Sequence, residues 1–189
     1  MKLSAKKTEI LDLAQELIQR RGYNGFSYAD IAETVGIRKA SIYHHFSSKE
    51  VLAIAVVRRY RENFSRHLEK IAINKNNIWF DKIYKYAKLY EEVLNEKRLC
   101  LCGMLASEME SLPAAVKNEI EYFFTQNVTW LSKVLVSQYP KLSKKRLNDL
   151  SWQIISFLQG AVIMARMSSK KELFSSACKE LLSQLQNLS

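Results

Sequence analysis

The stretch from Ser27 to Lys49 constrains the fold of this 189-residue chain more than any other. Ser27 is a favourable N-cap residue, and Asp30 lies in the first turn of the helix that follows, where a negative charge suits the helix dipole. Apolar residues recur at helical spacing up to Val35. Gly36 follows at the position where a residue without a Cβ can turn left-handed. We therefore expect a short helix that ends at Gly36.

A second short helix is predicted over residues 38–46. Ile42 and Phe46 lie one turn apart and predict its buried side. The other faces carry hydrogen-bond donors and small side chains: Arg38, Lys39, Ala40, Ser41, Tyr43 and His44. Such an exposed helix has the properties of one that reads bases in the major groove of DNA. The alternative, a helical hairpin in an unrelated all-α protein, does not account for so polar a second helix.

The whole stretch resembles the helix-turn-helix of the TetR/AcrR family of bacterial transcriptional repressors. That family shows a Thr or Ser cap, an Ile-Ala pair, a Gly followed by Val or Ile, a small-Ser/Thr-Leu/Ile-Tyr step and an aromatic-Phe-x-x-Lys ending. The matching residues are Ser27, Ile31, Ala32, Gly36, Ile37, Ala40, Ser41, Ile42, Tyr43, His45, Phe46 and Lys49. The resemblance implies a sequence-specific DNA-binding regulator of transcription.

The resemblance also implies an all-α fold of about nine helices. It places a three-helix helix-turn-helix DNA-binding domain at residues 1–47 and a ligand-binding and dimerisation domain at residues 48–189. Composition agrees, because the chain has only 5 Gly and 2 Pro and is 48% hydrophobic. Helical patterns predict helices over 4–21, 48–73, from 78, 113–139, 143–167 and 171–188. Ser47 is predicted to cap the second of these, with Glu50 at its third position.

By position in the motif, the predicted base contacts are Arg38, Lys39, Ala40, Ser41 and Tyr43. Lys39 suits the O6 and N7 acceptors of guanine, and the Ala40 methyl suits the methyl of thymine. The predicted phosphate contacts are Ser27, Tyr28, His44, His45 and Lys49. For His45, packing against Phe46 is an equal alternative. One such helix reads only a few base pairs, so we expect a homodimer on a palindromic operator in double-stranded DNA.

The middle helices frame a small-molecule pocket in the family that this chain resembles. The residues predicted to line it are Trp79, Tyr84, Tyr90, Met104, Glu108, Phe123, Phe124 and Trp130. Aromatic and methionine side chains suit a small hydrophobic inducer, and Glu108 is the candidate polar anchor. At any single position, an ordinary core role is the stronger alternative. For the group as a whole, we expect a pocket.

The run from Cys100 to Pro113 resembles a Cys-Leu-x-Gly-x-Leu-x-x-Glu pattern in one branch of the same family, in which a cysteine senses electrophiles and oxidants. The resemblance implies a reactive thiol at Cys100 and an electrophilic inducer. Cys102 is close in sequence and is the candidate for a resolving thiol. The alternative is that Cys100 is a small buried apolar side chain. The chain has three cysteines without metal-ligand spacing, which fits a reducing cytoplasm.

The helix predicted over 143–167 is unusually apolar from Trp152 to Met164. A monomer would leave such a surface exposed. By resemblance, this helix and the last one form a four-helix bundle with their counterparts in a second subunit. The predicted interface residues are Trp152, Phe157, Gly160, Ala161 and Met164, and Gly160 would permit close approach.

Several classes of protein are disfavoured by what the sequence lacks. It has no Gly-rich phosphate loop, metal-ligand cluster or nucleophile elbow, so we expect no enzyme, catalytic residue, metal or cofactor. It has no apolar run long enough for a bilayer and no signal peptide, so we expect a cytoplasmic protein without a membrane partner. The net charge of +10 favours an anionic partner but does not identify one. An architectural protein that binds all duplexes alike therefore remains an alternative.

Overall fold

The chain folds into α-helices joined by short connections. The computed structural model describes residues 5–74 and 76–188, and the predicted helix start at residue 4 lies outside them. The helices are α1 (Ala5–Arg21), α2 (Tyr28–Val35), α3 (Lys39–His45), α4 (Lys49–Ile73), α5 (Trp79–Asn95), α6 (Leu101–Ala106), α7 (Ala114–Val136), α8 (Lys144–Ser168) and α9 (Lys171–Gln186). A single 3-10 turn, Met109–Ser111, precedes α7. The described residues contain no strand, which confirms the predicted all-α fold of about nine helices.

The α2–turn–α3 segment is stabilised by the local signals that its sequence predicts. The Ser27 side chain caps α2, and the Asp30 carboxylate accepts the Ser27 N–H at 2.7 Å. Gly36 ends the helix in the left-handed conformation, with φ of 69°. Arg38 and Phe46 are the caps of α3 rather than its first and last residues. The predicted Ser27 cap and the glycine turn are both confirmed, and Asp30 additionally completes a capping box with Ser27.

The start of α4 differs from its prediction by one residue. The Ser48 hydroxyl accepts the Val51 N–H at 3.1 Å, so Ser48 rather than Ser47 caps the helix. Two serines in succession offer the same cap chemistry, and only the path of the chain after Phe46 decides between them. The C-terminal end of α7 also differs from the prediction, because this helix ends at Val136, before Tyr139.

The chain divides into two compact units. The first unit comprises the described residues up to Asn63 together with Leu101–Tyr122, and the second comprises Phe64–Cys100, without residue 75, and 123–188. These units are defined by which residues pack together. The predicted domain boundary between residues 47 and 48 lies at the end of the helix-turn-helix motif, and it stays a prediction. No helix among the described residues is long and apolar enough to cross a membrane.

Each unit has its own apolar core. In the first unit, the fully buried side chains include Ile10, Ile18, Ile31, Ile42 and Leu52. These side chains come from α1, α2, α3 and α4, so the two helices of the predicted DNA-binding motif rest on the helices that flank them in sequence. In the second unit, the largest fully buried side chains are Tyr86, Tyr90, Phe123 and Phe174. There α9 packs against both α5 and α8.

Candidate functional site

Helix α3 presents one continuous polar face. Ile42 and Phe46 are buried, which fixes the rotation of the helix. The residues left exposed are Arg38, Lys39, Ala40, Ser41, Tyr43 and His44. The five predicted base contacts therefore share one surface, and their placement there follows from two apolar residues one turn apart. Two cations, two hydroxyls and a methyl group on a short helix can hydrogen-bond to base edges and touch a thymine methyl.

Tyr43 and Tyr28 form an aromatic pair at the base of this surface. Their ring centroids lie 4.9 Å apart in an edge-to-face arrangement. Tyr43 is 54% exposed, whereas Tyr28 is 8% exposed and its hydroxyl donates to the Phe46 carbonyl oxygen at 2.9 Å. Burial raises the pKa of Tyr28 to about 12, so the hydroxyl stays protonated at neutral pH. Its one proton is already donated, and we therefore assign Tyr28 to positioning α3 instead of the predicted phosphate contact.

The Ser27 hydroxyl is also engaged within the protein. It donates to the Asp30 carboxylate at 2.6 Å and accepts the Ala29 N–H at 3.1 Å. The Ser27 hydroxyl and the Ser27 N–H both donate to the Asp30 carboxylate, and these hydrogen bonds lower the pKa of Asp30. A phosphate contact by the exposed Ser27 would need this cap to rearrange, because the hydroxyl has only one proton. The structure gives Ser27 the role of a helix cap.

The Lys49 side chain is engaged by Tyr23 and Phe26, in the loop before α2. Its ammonium group donates to the Phe26 carbonyl oxygen and lies 4.7 Å and 4.4 Å from the ring centroids of Tyr23 and Phe26. Burial lowers the pKa of Lys49, and the nearby Glu108 carboxylate partly offsets this effect. These contacts bind Lys49 to the loop before α2, so a phosphate contact would draw on the remaining N–H groups of the ammonium.

His44 and His45 close the α3 surface at its C-terminal end. His44 is exposed, while His45 is half-buried. Their rings meet edge to face with centroids 5.6 Å apart. Of the five predicted phosphate contacts, His44 is therefore the side chain whose position best suits the role, and His45 is next to it.

The residues predicted to line a ligand pocket do not form one group. Met104 and Glu108 belong to the first unit, and the other six belong to the second. Glu108 is not a pocket anchor, because its carboxylate accepts the Tyr23 N–H at 2.5 Å. Tyr84 is exposed and borders a groove of about 230 Å³ between α5 and α9. Trp79 packs on Phe80 and Tyr139, with centroid distances of 5.7 Å and 5.9 Å.

Three of the predicted pocket residues do meet, in an aromatic cluster of the second unit. The cluster contains Phe64 of α4, Tyr86 and Tyr90 of α5, and Phe123 and Trp130 of α7. Phe64 lies 5.1 Å from Phe123 and 5.9 Å from Tyr86 between ring centroids. Phe124 extends from this cluster toward Trp152, at 6.3 Å. Phe64 was not predicted as a member, and Tyr86 replaces Tyr84 because it lies on the buried side of α5.

The thiols proposed as a sensor are enclosed. Cys100 is 1% exposed and Cys102 is fully buried. A thiol reacts with an electrophile only where the reagent reaches it. The geometry therefore favours the alternative role of Cys100 and Cys102 as small buried side chains.

The predicted interface residues lie along one exposed side of α8. Trp152, Phe157, Gly160 and Met164 are exposed, and Ala161 is half-buried. Ile163 and Met167 extend the apolar surface at helical spacing. A Cβ at Gly160 would meet no atom within 4 Å, so the surface beside it is open.

These features define a class of protein: helix-turn-helix DNA-binding proteins with a helical body. The family described as bacterial regulatory proteins, tetR family, matches residues 10–56. A TetR transcriptional regulator from Legionella pneumophila is 33% identical in sequence, with a TM-score of 0.90 over 97% of this chain and 99% of that one. The chain belongs to the TetR family of transcriptional regulators, which confirms the resemblance of its helix-turn-helix.

Two further proteins are similar to this chain. The biofilm operon icaADBC HTH-type negative transcriptional regulator IcaR of Staphylococcus epidermidis is 28% identical over 166 residues, covering 87% of this chain and 86% of IcaR. The reduced form of NemR from E. coli is 20% identical, with a TM-score of 0.74 over 93% of this chain and 94% of that one. The likeness to NemR is one of fold alone.

Proposed function

We propose that this protein is a transcriptional repressor that binds a palindromic operator as a homodimer and is released by a small ligand. The observation that carries the proposal is the exposed polar face of α3, held in place by the burial of Ile42 and Phe46. The negative regulation named for IcaR supports repression over activation. An architectural DNA-binding protein would not need a helix so equipped for base contacts.

The α3 surface supports a division of roles among its side chains. Lys39 and Arg38 read guanine, the Ala40 methyl contacts thymine, and Ser41 and Tyr43 complete the base contacts. His44 and His45 contact phosphate at the edge of the groove, and Lys49 joins them with its remaining N–H groups. Tyr28 holds α3 through Phe46 and Tyr43. Base contacts determine sequence preference, whereas phosphate contacts raise affinity for all sequences alike.

Two copies of α3 are needed for operator-level affinity. A homodimer through the exposed apolar side of α8 would supply them, with the half-sites about 34 Å apart or at multiples of that distance. The open space beside Gly160 supports close approach of a partner helix. A palindrome is then the sequence counterpart of the two-fold axis of the dimer.

Release by ligand follows from the composition of the second unit. Its aromatic cluster and its grooves offer apolar surface to a small hydrophobic compound. Because α4 and α7 each run through both units, a change of packing around the cluster reaches the first unit along continuous helices. The coupling is reciprocal, so operator DNA should weaken ligand binding by the same factor as the ligand weakens DNA binding.

The proposal is tested by selecting bound duplexes from a random library at physiological salt and sequencing them. Recovery of one palindrome is expected. Recovery of no consensus, together with binding that only fades as salt rises, would identify a non-specific DNA-binding protein. A reporter gene placed behind the recovered palindrome then separates repression from activation.

A further inference from the structure

Helix α7 carries three buried polar atoms that have no hydrogen-bond partner within the described protein. They are the acceptors Oε1 of Gln126 and Oδ1 of Asn127, and the donor Nε1 of Trp130. Asn127 is 2% exposed. The great majority of buried polar atoms in folded proteins are hydrogen-bonded, so an unpartnered acceptor and an unpartnered donor one turn apart require an explanation.

The unpartnered atoms of Asn127 and Trp130 belong to side chains that make other contacts. The Asn127 Nδ2 group donates to the Phe123 carbonyl oxygen at 2.7 Å, which orients the amide and directs Oδ1 away from that carbonyl. The Trp130 indole stacks on Tyr86, with 5.7 Å between centroids and 19° between the ring planes. The two unpartnered atoms are therefore held in place by interactions at other atoms of the same side chains.

Their position adjoins the aromatic cluster. Phe123, Asn127 and Trp130 follow one another at spacings of four and three residues, so they share one face of α7. Phe123 contacts Phe64 and Trp130 contacts Tyr86, which shows that this face is turned toward α4 and α5. Asn127 lies on α7 between these two aromatic contacts.

The surroundings determine the charge and shape of a compound that would fit. No Asp, Glu, Lys or Arg among the described residues is buried, so a charged ligand would find no counter-charge in the core. Tyr86 and Tyr90 share one hydrogen bond between their hydroxyls at 3.0 Å. The other side chains of the aromatic cluster present ring faces and edges, which favours a flat aromatic compound that stacks among them.

We propose that Asn127 and Trp130 are the polar contacts for a flat, neutral aromatic ligand that carries one hydrogen-bond donor and one acceptor. The donor of the ligand binds Oδ1 of Asn127, and its acceptor binds the Nε1–H of Trp130. Hydroxylated aromatic ketones have this chemistry. The inference rests on the proposed regulation by a small ligand and specifies its class. The rings of the cluster pack on one another, so the ligand enters by separating some of them.

The test is a calorimetric titration of the full chain with four related compounds. They are 6-acetyl-2-naphthol, which has both groups; 2-naphthol, which lacks the ketone; 2-acetylnaphthalene, which lacks the hydroxyl; and naphthalene. Asn127→Leu should weaken binding of the two hydroxyl compounds by about tenfold or more and leave 2-acetylnaphthalene nearly unchanged. Trp130→Phe should weaken binding of the two ketones and leave the affinity for 2-naphthol nearly unchanged.

The matched control is Asn118→Leu, which makes the same change at an exposed position of α7 and should leave all four affinities unchanged. A second readout is the melting temperature without ligand. Because Asn127→Leu removes an unpartnered acceptor, we expect it to melt at the same temperature as the wild type or higher.

Two results would overturn the inference: no binding of 6-acetyl-2-naphthol to the wild type, or an equal loss for all four compounds in both variants, which indicates a purely structural role. If Asn127→Leu does not fold, Trp130→Phe alone still tests the inference. The quantity to compare is then the ratio of the affinity for 2-acetylnaphthalene to the affinity for 2-naphthol, in the variant and in the wild type. The titration contains no DNA. Its failure therefore leaves the operator selection intact, and failure of that selection leaves the titration interpretable.

Discussion

The Glu108 carboxylate accepts the Tyr23 N–H at 2.5 Å and lies against the backbone of Gly22. Gly22 has a φ of 77°, which strains any other residue, and a Cβ there would lie 2.5 Å from Oε1 of Glu108 and displace that carboxylate. Asn24 adds a second bond in the same loop, to the Ser111 hydroxyl at 2.8 Å. At the residue scale, these side chains join the loop before α2 to the segment that follows α6.

Replacing Glu108 should therefore destabilise the first unit. Glu108→Ala leaves the Tyr23 N–H without its charged acceptor, and we expect the free energy of unfolding to fall by about 1–2 kcal/mol. Glu110→Ala, at an exposed neighbouring position, should change it by less than about 0.5 kcal/mol. Urea unfolding followed by circular dichroism measures both. Equal stabilities for the two variants would show that the Glu108 bond contributes nothing.

At the element scale, the α2–turn–α3 unit depends on Gly36. Its φ of 69° is a left-handed conformation, and a Cβ there would meet no atom within 4 Å. The cost of a side chain is therefore conformational rather than steric. Gly36 also begins the short connection between the capped helix α2 and the polar helix α3.

Gly36→Ala should lower the free energy of unfolding by about 1–2 kcal/mol, because an L-residue pays that cost in the left-handed region. Gly36→Asn should lose less, since asparagine tolerates this conformation better. Thermal unfolding of the two variants and the wild type provides the comparison. If alanine is tolerated as well as asparagine, the turn does not depend on the left-handed conformation.

Helix α5 illustrates what local sequence could and could not predict. Its bounds follow from local spacing, and Asp81 accepts the Ile78 N–H at the start, so the helix itself was predictable. Which tyrosine is buried was not, because Tyr84 and Tyr86 flank the apolar residues Ile83, Ala87 and Tyr90 on opposite sides, and spacing alone does not choose between them. Similarly, no local pattern could pair Glu108 with Tyr23, 85 residues earlier. The helices and the α3 surface were therefore predictable, and the membership of the aromatic cluster was not.

At the scale of the whole molecule, the exposed apolar side of α8 bears on assembly. Met164 is 52% exposed, and Met167, Ile163 and Trp152 share the surface. An exposed apolar patch of this kind marks an interaction site in soluble proteins. In the proposed homodimer, a second copy of the chain covers this patch.

Met164→Glu should then shift the protein from dimer to monomer, because the carboxylate would lose its hydration in an apolar interface. Ile73→Glu introduces the same charge at an apolar residue that is 77% exposed outside α8, and it should leave the dimer intact. Sedimentation equilibrium at several concentrations reports the molecular mass of each. A wild type that sediments as a monomer would contradict the assignment, as would a Met164→Glu variant that remains dimeric.

The central claim, that the face of α3 reads base sequence, is tested most directly at Lys39. The measurement is the affinity of wild type, Lys39→Ala and the control Lys141→Ala for the selected palindrome and for versions with each base pair changed. Lys39→Ala should lose about 1–3 kcal/mol on the palindrome and lose discrimination at one base pair of each half-site. Lys141→Ala, exposed in the connection before α8, should change neither. If Lys39→Ala instead loses the same affinity for every duplex, Lys39 contacts phosphate. That result would contradict the claim that this face of α3 reads base sequence.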